Sequence, residues 1–172
     1  MSKGIIVSGF PAVGKSFLTE HAIDNYIVDS DSSNFSWIKD SDGNNTKERN
    51  PEFPKNYIKH IKKLRKEADI VLVSSHENVR EALIKNGLEF IIALPHIDCK
   101  EDWIKRLVKR NSPQSFIDLI SKNWEEWIIE LNEFIVDNEV GYIELWENEY
   151  LFDNLKLILF YKEFNKYGRY DD

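Results

Sequence analysis

The sequence predicts an α/β fold built on a parallel sheet. Apolar bursts alternate with stretches of helical periodicity, a glycine-rich loop directly follows the first burst, and 172 residues suffice for one compact core. The first burst, Gly4-Ile5-Ile6-Val7-Ser8, reads as a strand, and a helix follows from about Lys15 to Asp24. A second burst, Tyr26-Ile27-Val28, ends in Asp29-Ser30-Asp31. Residues 32–53 then break the alternation. Ser32, Ser33, Asn34, Ser36, Ser41, Gly43, Asn44, Asn45 and Pro51 crowd a polar stretch, and an insert of that length in a compact domain reads as a functional segment on the substrate side.

From Pro54 the pattern is helical, with Tyr57, Ile58, Ile61, Leu64 and Ala68 on one face and Lys55, Lys59, Lys62 and Lys66 mostly solvated. The third strand is Asp69-Ile70-Val71-Leu72-Val73, after which Ser74 and Glu77 form a capping-box pattern for a helix that ends before Gly87. Glu89 to Leu94 is the fourth strand. Downstream, Trp103, Ile104, Leu107 and Val108 make a buried helical stripe, bordered on one side by Arg106 and Arg110. Ser112-Pro113 reads as a cap followed by proline at the first helical position, opening a long helix with Phe116, Ile120, Trp124, Trp127, Leu131 and Phe134 on its core face. Gly141 to Leu145 is the fifth strand, and Leu155 to Phe164 fits helix or strand. No repeat or linker divides the chain, so one domain is expected over 1–172.

Composition excludes several classes. The net charge of -7 and pI near 5.2 argue against a general nucleic-acid binder, whereas a small anionic ligand needs only a local positive pocket. The aromatic content of 13% argues against disorder. Cys99 has no second cysteine to pair with, which fits a reducing compartment. No apolar run approaches the roughly 18 residues of a membrane span, and the start of the chain lacks a signal-type apolar region. A cytoplasmic protein without a membrane partner is expected.

Gly9-Phe10-Pro11-Ala12-Val13-Gly14-Lys15-Ser16 fits the pattern G-x-x-x-x-G-K-[ST]. Its glycines let successive N–H groups point inward at phosphate oxygens, and the match sits between a strand and a helix, as the motif requires. Residues 9–16 with Phe17 are therefore the expected ATP-binding segment, Lys15 reaching the terminal phosphates and the Ser16 hydroxyl reaching Mg²⁺. A guanine-reading N-K-x-D element is absent, and the third strand runs into Ser74-Ser75-His76 rather than an acidic pair that activates water. Transfer to a bound acceptor fits better than hydrolysis.

Asp29 and Asp31, spaced i, i+2 at a strand end, suit Mg²⁺ waters or the acceptor; an Asp-Ser-Asp turn facing solvent is the alternative. Asp31 is the first choice for acceptor contact, as a base if the acceptor is a hydroxyl. Arg106 and Arg110 at i, i+4 are placed to reach over a phosphate as charge spreads onto its oxygens, the alternative being ordinary helix-surface arginines.

The loop 9–16, the strand ending Asp29-Ser30-Asp31, the run Arg106-Leu107-Val108-Lys109-Arg110 and the short segment Asn111 to Gln114 together resemble the nucleoside monophosphate kinase and shikimate kinase group of P-loop kinases. Phe35-Ser36-Trp37, Glu48-Arg49-Asn50-Pro51 and Val73-Ser74-Ser75-His76 resemble small deoxynucleotide-kinase-like proteins of phages. The resemblance implies a three-layer P-loop NTPase fold with strand order 2-3-1-4-5, the insert over the acceptor, and a short lid at about 106–116. It also implies that Arg106 and Arg110 are lid arginines and that Lys15 is the phosphate-loop lysine; these three, with Asp31 as read from its spacing, are the expected catalytic residues.

The expected activity is ATP- and Mg²⁺-dependent phosphoryl transfer to a small acceptor, foremost a (deoxy)nucleoside monophosphate. Asp29 would serve metal and substrate. Phe35 or Trp37 would stack on a base, and Arg49, Lys47 and Arg80 would neutralise the acceptor phosphate. Each of these five has an ordinary alternative as core aromatic or surface cation. A metabolite-hydroxyl kinase and a nucleotide-binding module without turnover are the other readings.

Overall fold

Strand β1 (Ile5–Gly9) is buried at every position, as a strand covered on both faces must be. The computed structural model describes residues 3–167, so the outermost residues of the expected 1–172 domain lie outside the described residues. After β1 come α1 (Lys15–His21), β2 (Ile27–Asp29), α2 (Ser33–Ser36), β3 (Trp37–Lys39), β4 (Asn45–Arg49) and α3 (Lys55–Leu64). Then follow β5 (Ile70–Ser74), α4 (Glu77–Lys85), β6 (Phe90–Pro95), α5 (Lys100–Lys109), α6 (Gln114–Asp137), β7 (Gly141–Leu145) and α7 (Leu155–Tyr167).

Five of these strands form a parallel sheet in the order β2-β5-β1-β6-β7, flanked by helices. The chain-wide numbering departs from the expected 2-3-1-4-5 because two strands of the insert, β3 and β4, intervene after β2 and pair only with each other. Among the five sheet strands alone, the order is second, third, first, fourth, fifth.

The core is the apolar run of the central strands, Ile70 to Val73 and Ile91 to Leu94, packed under Leu18, Tyr57, Ile61, Leu83, Trp103 and Trp124. Each fully buried Leu, Ile or Val contributes roughly 1.5–3 kcal/mol relative to exposure, so the sheet is the rigid base on which the loops at its carboxyl ends stand. Trp124 is anchored twice: its ring lies edge-on to Phe10, 5.8 Å between centroids, and its Nε1 donates to Ile97 O at 2.6 Å.

The structure fills in the insert and lid segments and corrects two expected helix caps, Ser74 and Ser112. The polar insert holds a short helix and an antiparallel hairpin, with Trp37 opposite Arg49. Helix α4 is capped at His76 without a side-chain bond, because β5 extends through Ser74 and the capping-box serine is still in the sheet. Helix α6 starts one residue later than expected, at Gln114, and the Ser112 hydroxyl instead accepts a bond from Arg110 Nε at 2.7 Å. The expected lid at 106–116 is divided between the end of α5, a short turn and the first turn of α6. The ambiguous Leu155 to Phe164 segment is helical.

Candidate functional site

The loop from Gly9 to Ser16 leaves the carboxyl end of the central strand. Two of its residues take left-handed backbone, Ala12 at φ 64° and Gly14 at φ 94°. A Cβ on Gly14 would stand 3.1 Å from the Tyr150 ring, and one on Gly9 would stand 2.9 Å from Val13 Cγ2 and 3.2 Å from Lys15 Cδ. Close packing disfavours a side chain at both positions, and at Gly14 the left-handed backbone does so as well. Pro11 O accepts from Trp103 Nε1 at 2.8 Å, and Val13 O accepts from Leu151 N–H at 3.0 Å. Since a trans peptide points its N–H opposite its C=O, these two bonds turn the N–H groups of Ala12 and Gly14 away from the protein body. Among the described residues, no acceptor takes either of those amides. Phe10 and Val13 point into the core, at 2% and 0% exposure, and offer only their main chain. Phe17 stacks on His21 and meets Phe152 edge-on, its side chain joining that cluster.

Lys15 folds back over the loop, its Nζ donating to Gly9 O at 2.8 Å. Burial pushes its ammonium down to about 8; Asp29 and Asp31 oppose that shift, and Arg110 adds to it. Partial desolvation of its carboxylate raises Asp29, with Lys15 pulling it back down. Lys15, Asp29, Asp31 and Arg110 therefore share one electrostatic neighbourhood. One oxygen of Asp31 accepts from Ser33 N–H at 2.8 Å, an Asx turn that starts α2, so the turn reading of this residue is satisfied on that side. Asp29, at the tip of β2, is exposed.

The arginine pair is divided. Arg110, just past the end of α5, bears on Lys15. Arg106 is 7% exposed and fully engaged. Its Nε donates to Asp102 at 2.7 Å and its Nη1 to Glu149 O at 2.8 Å, and its guanidinium lies between the rings of Trp103 (3.8 Å) and Tyr150 (4.1 Å). The expectation of a second phosphate-facing arginine is corrected: Arg106 has its donors committed to the protein. Periodicity placed it on the border of the buried stripe, and the 146–150 loop covers that border.

On the acceptor side, the hairpin stacks the Arg49 guanidinium over Trp37, 4.0 Å from the ring centroid. Phe35 takes its core alternative, packing on Tyr57 and His60 at 5.1 and 4.7 Å. Lys47 is exposed on β4. Arg80 is not a surface cation: it is 1% exposed, donates to Ser75 O, forms an ion pair with Glu130 at 2.7 Å and lies over the Phe134 ring. Its Nη1 is buried without a partner. His76, given no assigned role by sequence reasoning, stands at the tip of β5; burial lowers its pKa first, then Lys15, Arg49 and Arg80, with Asp31 opposing. Trp103 and Tyr150 were missed as loop-holding residues because the contacts that give them that role span 92 positions in one case and a 146–150 loop without periodicity in the other.

The arrangement offers a polyanion two unused amides and two cations beside a pair of carboxylates. No group of three or more His, Cys, Asp or Glu forms a metal cage among the described residues. Mg²⁺ bound with a nucleotide characteristically takes only one or two protein groups plus phosphate oxygens, and the exposed Ser16 hydroxyl with Asp29 fits that donor set. No helix among the described residues is long and apolar enough to cross a membrane. Compared with known proteins, the chain matches no family model and no curated protein.

Proposed function

We propose that the protein is a cytoplasmic P-loop kinase that transfers the terminal phosphoryl group of ATP, in the presence of Mg²⁺, to a small acceptor, foremost a (deoxy)nucleoside monophosphate. The observation that carries this reading is a loop whose Ala12 and Gly14 amides are unpaired and whose mouth is bridged by the Lys15 ammonium on Gly9 O. In this reading Lys15 leaves Gly9 O for the β and γ oxygens, and Arg110 approaches the transferred group as negative charge spreads over it. Ser16 and Asp29 would hold Mg²⁺, which when bound neutralises charge on the donor phosphates. Arg49 on the hairpin orients the acceptor, and His76 feels the charge of both Arg49 and Lys15; the acceptor's phosphate is already ionised and needs no base. The Trp37 face opposite Arg49 suits a flat base.

The test is a panel of nucleoside monophosphates with Mg-ATP, read as ADP release. At least one should stimulate release, and Arg49→Ala should raise its KM by roughly tenfold while leaving the donor KM alone. No stimulation by any of them ends the nucleotide-acceptor version, and binding without any ADP formation points to a module that does not turn over.

A hydroxyl acceptor is the second reading, favoured by the raised pKa of Asp29, which moves a carboxylate towards general-base use. It requires that Asp29→Asn or Asp31→Asn abolish turnover of a phosphate-free acceptor while nucleotide affinity holds.

A further inference from the structure

Four groups stand in one column beside the loop. The Trp103 ring, the Arg106 guanidinium and the Tyr150 ring are stacked in that order, and Tyr150 lies against the Cα of Gly14. The column touches the loop at both ends. Trp103 Nε1 holds Pro11 O, and Leu151, the residue after Tyr150, holds Val13 O through its main chain. Arg106 is the only charged member, and it also ties the 146–150 loop to α5 through Glu149 O and, more loosely, Trp146 O. That second loop is also held by its own short bonds, Glu149 to Trp146 N–H and Asp153 to Tyr150 N–H, and by the stack of the Trp146 ring on His96 at 3.8 Å.

We infer that Arg106 is a positioning residue: through the Trp103–Arg106–Tyr150 column it fixes the peptide planes at 11–12 and 13–14 so that the Ala12 and Gly14 amides are aimed before a nucleotide arrives. The inference rests on the phosphate-binding reading proposed above. Ala12 explains why such a device is needed. An alanine at positive φ is strained and relaxes to ordinary backbone unless its surroundings hold it, and once it relaxes its amide turns with it. The column supplies the restraint from outside, and because it rises from α5, whose C-terminal end carries Arg110, the loop and that arginine are set by the same helix. A flat guanidinium is required between two rings; a lysine ammonium keeps the charge but neither the plane nor the fork of donors.

The experiment compares the wild-type protein with Arg106→Lys and Tyr150→Leu, each shown to be folded by far-UV circular dichroism and a cooperative melt. ¹⁵N relaxation of the loop amides is measured without ligand, and Mg-ATP affinity by calorimetry. Both variants should lower the order of the Ala12 and Gly14 amides relative to the sheet and weaken Mg-ATP binding by roughly tenfold, the population factor for losing one strained backbone state. Unchanged loop order with weaker binding would mean that Arg106 touches the nucleotide, and overturns the inference. So does unchanged loop order with unchanged binding, or lost order with unchanged binding. If wild type binds no Mg-ATP while the variants still lose loop order, the restraint stands and the nucleotide reading fails.

Discussion

Lys15 Nζ lies 2.8 Å from the carbonyl oxygen of Gly9, six residues earlier in the chain. The ammonium thus bridges the mouth of its own loop, held by this carbonyl dipole and, at 3.5 Å, by that of Phe10, both of which a phosphate oxygen, carrying full charge, readily outcompetes. A half-buried cation with such weak partners is costly to stability and useful to binding.

Replacing it separates the two. Lys15→Met should lower turnover by at least about 100-fold, as removal of a charge aimed at the transferred group does. The melting temperature at neutral pH should hold or rise, since a desolvated charge has been exchanged for an apolar chain of similar length. Steady-state kinetics and thermal denaturation check the two halves.

The same residue sets a pH dependence. Its native pKa is about 8 against an ordinary 10.5, burial being the main cause. Between those values the unfolded chain keeps a proton that the native protein has released, so native stability should rise with pH across this window relative to Lys15→Met. Urea titrations at about pH 7.5 and about pH 9.5 read the difference. Mg-ATP affinity should move the opposite way, weakening above about pH 8 with proton uptake on binding, while Lys15→Arg stays flat.

Gly14→Ala forces a side chain onto φ 94° and against Tyr150 at 3.1 Å. A loss of about 1–2 kcal/mol in urea unfolding is expected from the backbone alone, together with weaker nucleotide binding. Gly43, also at positive φ but with nothing within 4 Å of its Cβ position, is the control: Gly43→Ala should show the backbone cost without the binding defect.

Most of the sheet was legible because its three central strands are continuous apolar runs that only a doubly covered sheet explains. The hairpin was not. Asn45-Thr46-Lys47-Glu48-Arg49 is largely exposed and shows none of the apolar alternation that announces a strand. At the site, the loop and Lys15 could be read locally because the motif is contiguous. Arg106 and Arg80 could not, since burial of each depends on partners far along the chain, Glu149 for one and Glu130 for the other. Phe35 and Trp37, two residues apart, were indistinguishable until α2 ended between them and sent one ring to the core and the other to the hairpin.

The Arg80–Glu130 pair is asymmetric, a buried guanidinium on a solvent-reached carboxylate, with side-chain exposures of 2% and 40%. Glu130→Gln leaves a guanidinium uncompensated inside the protein and should cost about 3 kcal/mol. Arg80→Met leaves a carboxylate that water can reach and an apolar chain over Phe134, so it should cost less. Equal losses in urea unfolding would contradict this account of the pair.

The most direct measurement is a calorimetric titration of the purified protein with Mg-ATP, repeated with Lys15→Met. Saturable heat with wild-type protein, reduced or abolished by the substitution, is the expected result. No heat with Mg-ATP or Mg-GTP, or equal binding by both proteins, would contradict the claim that the loop from Gly9 to Ser16 holds the phosphates of a nucleotide.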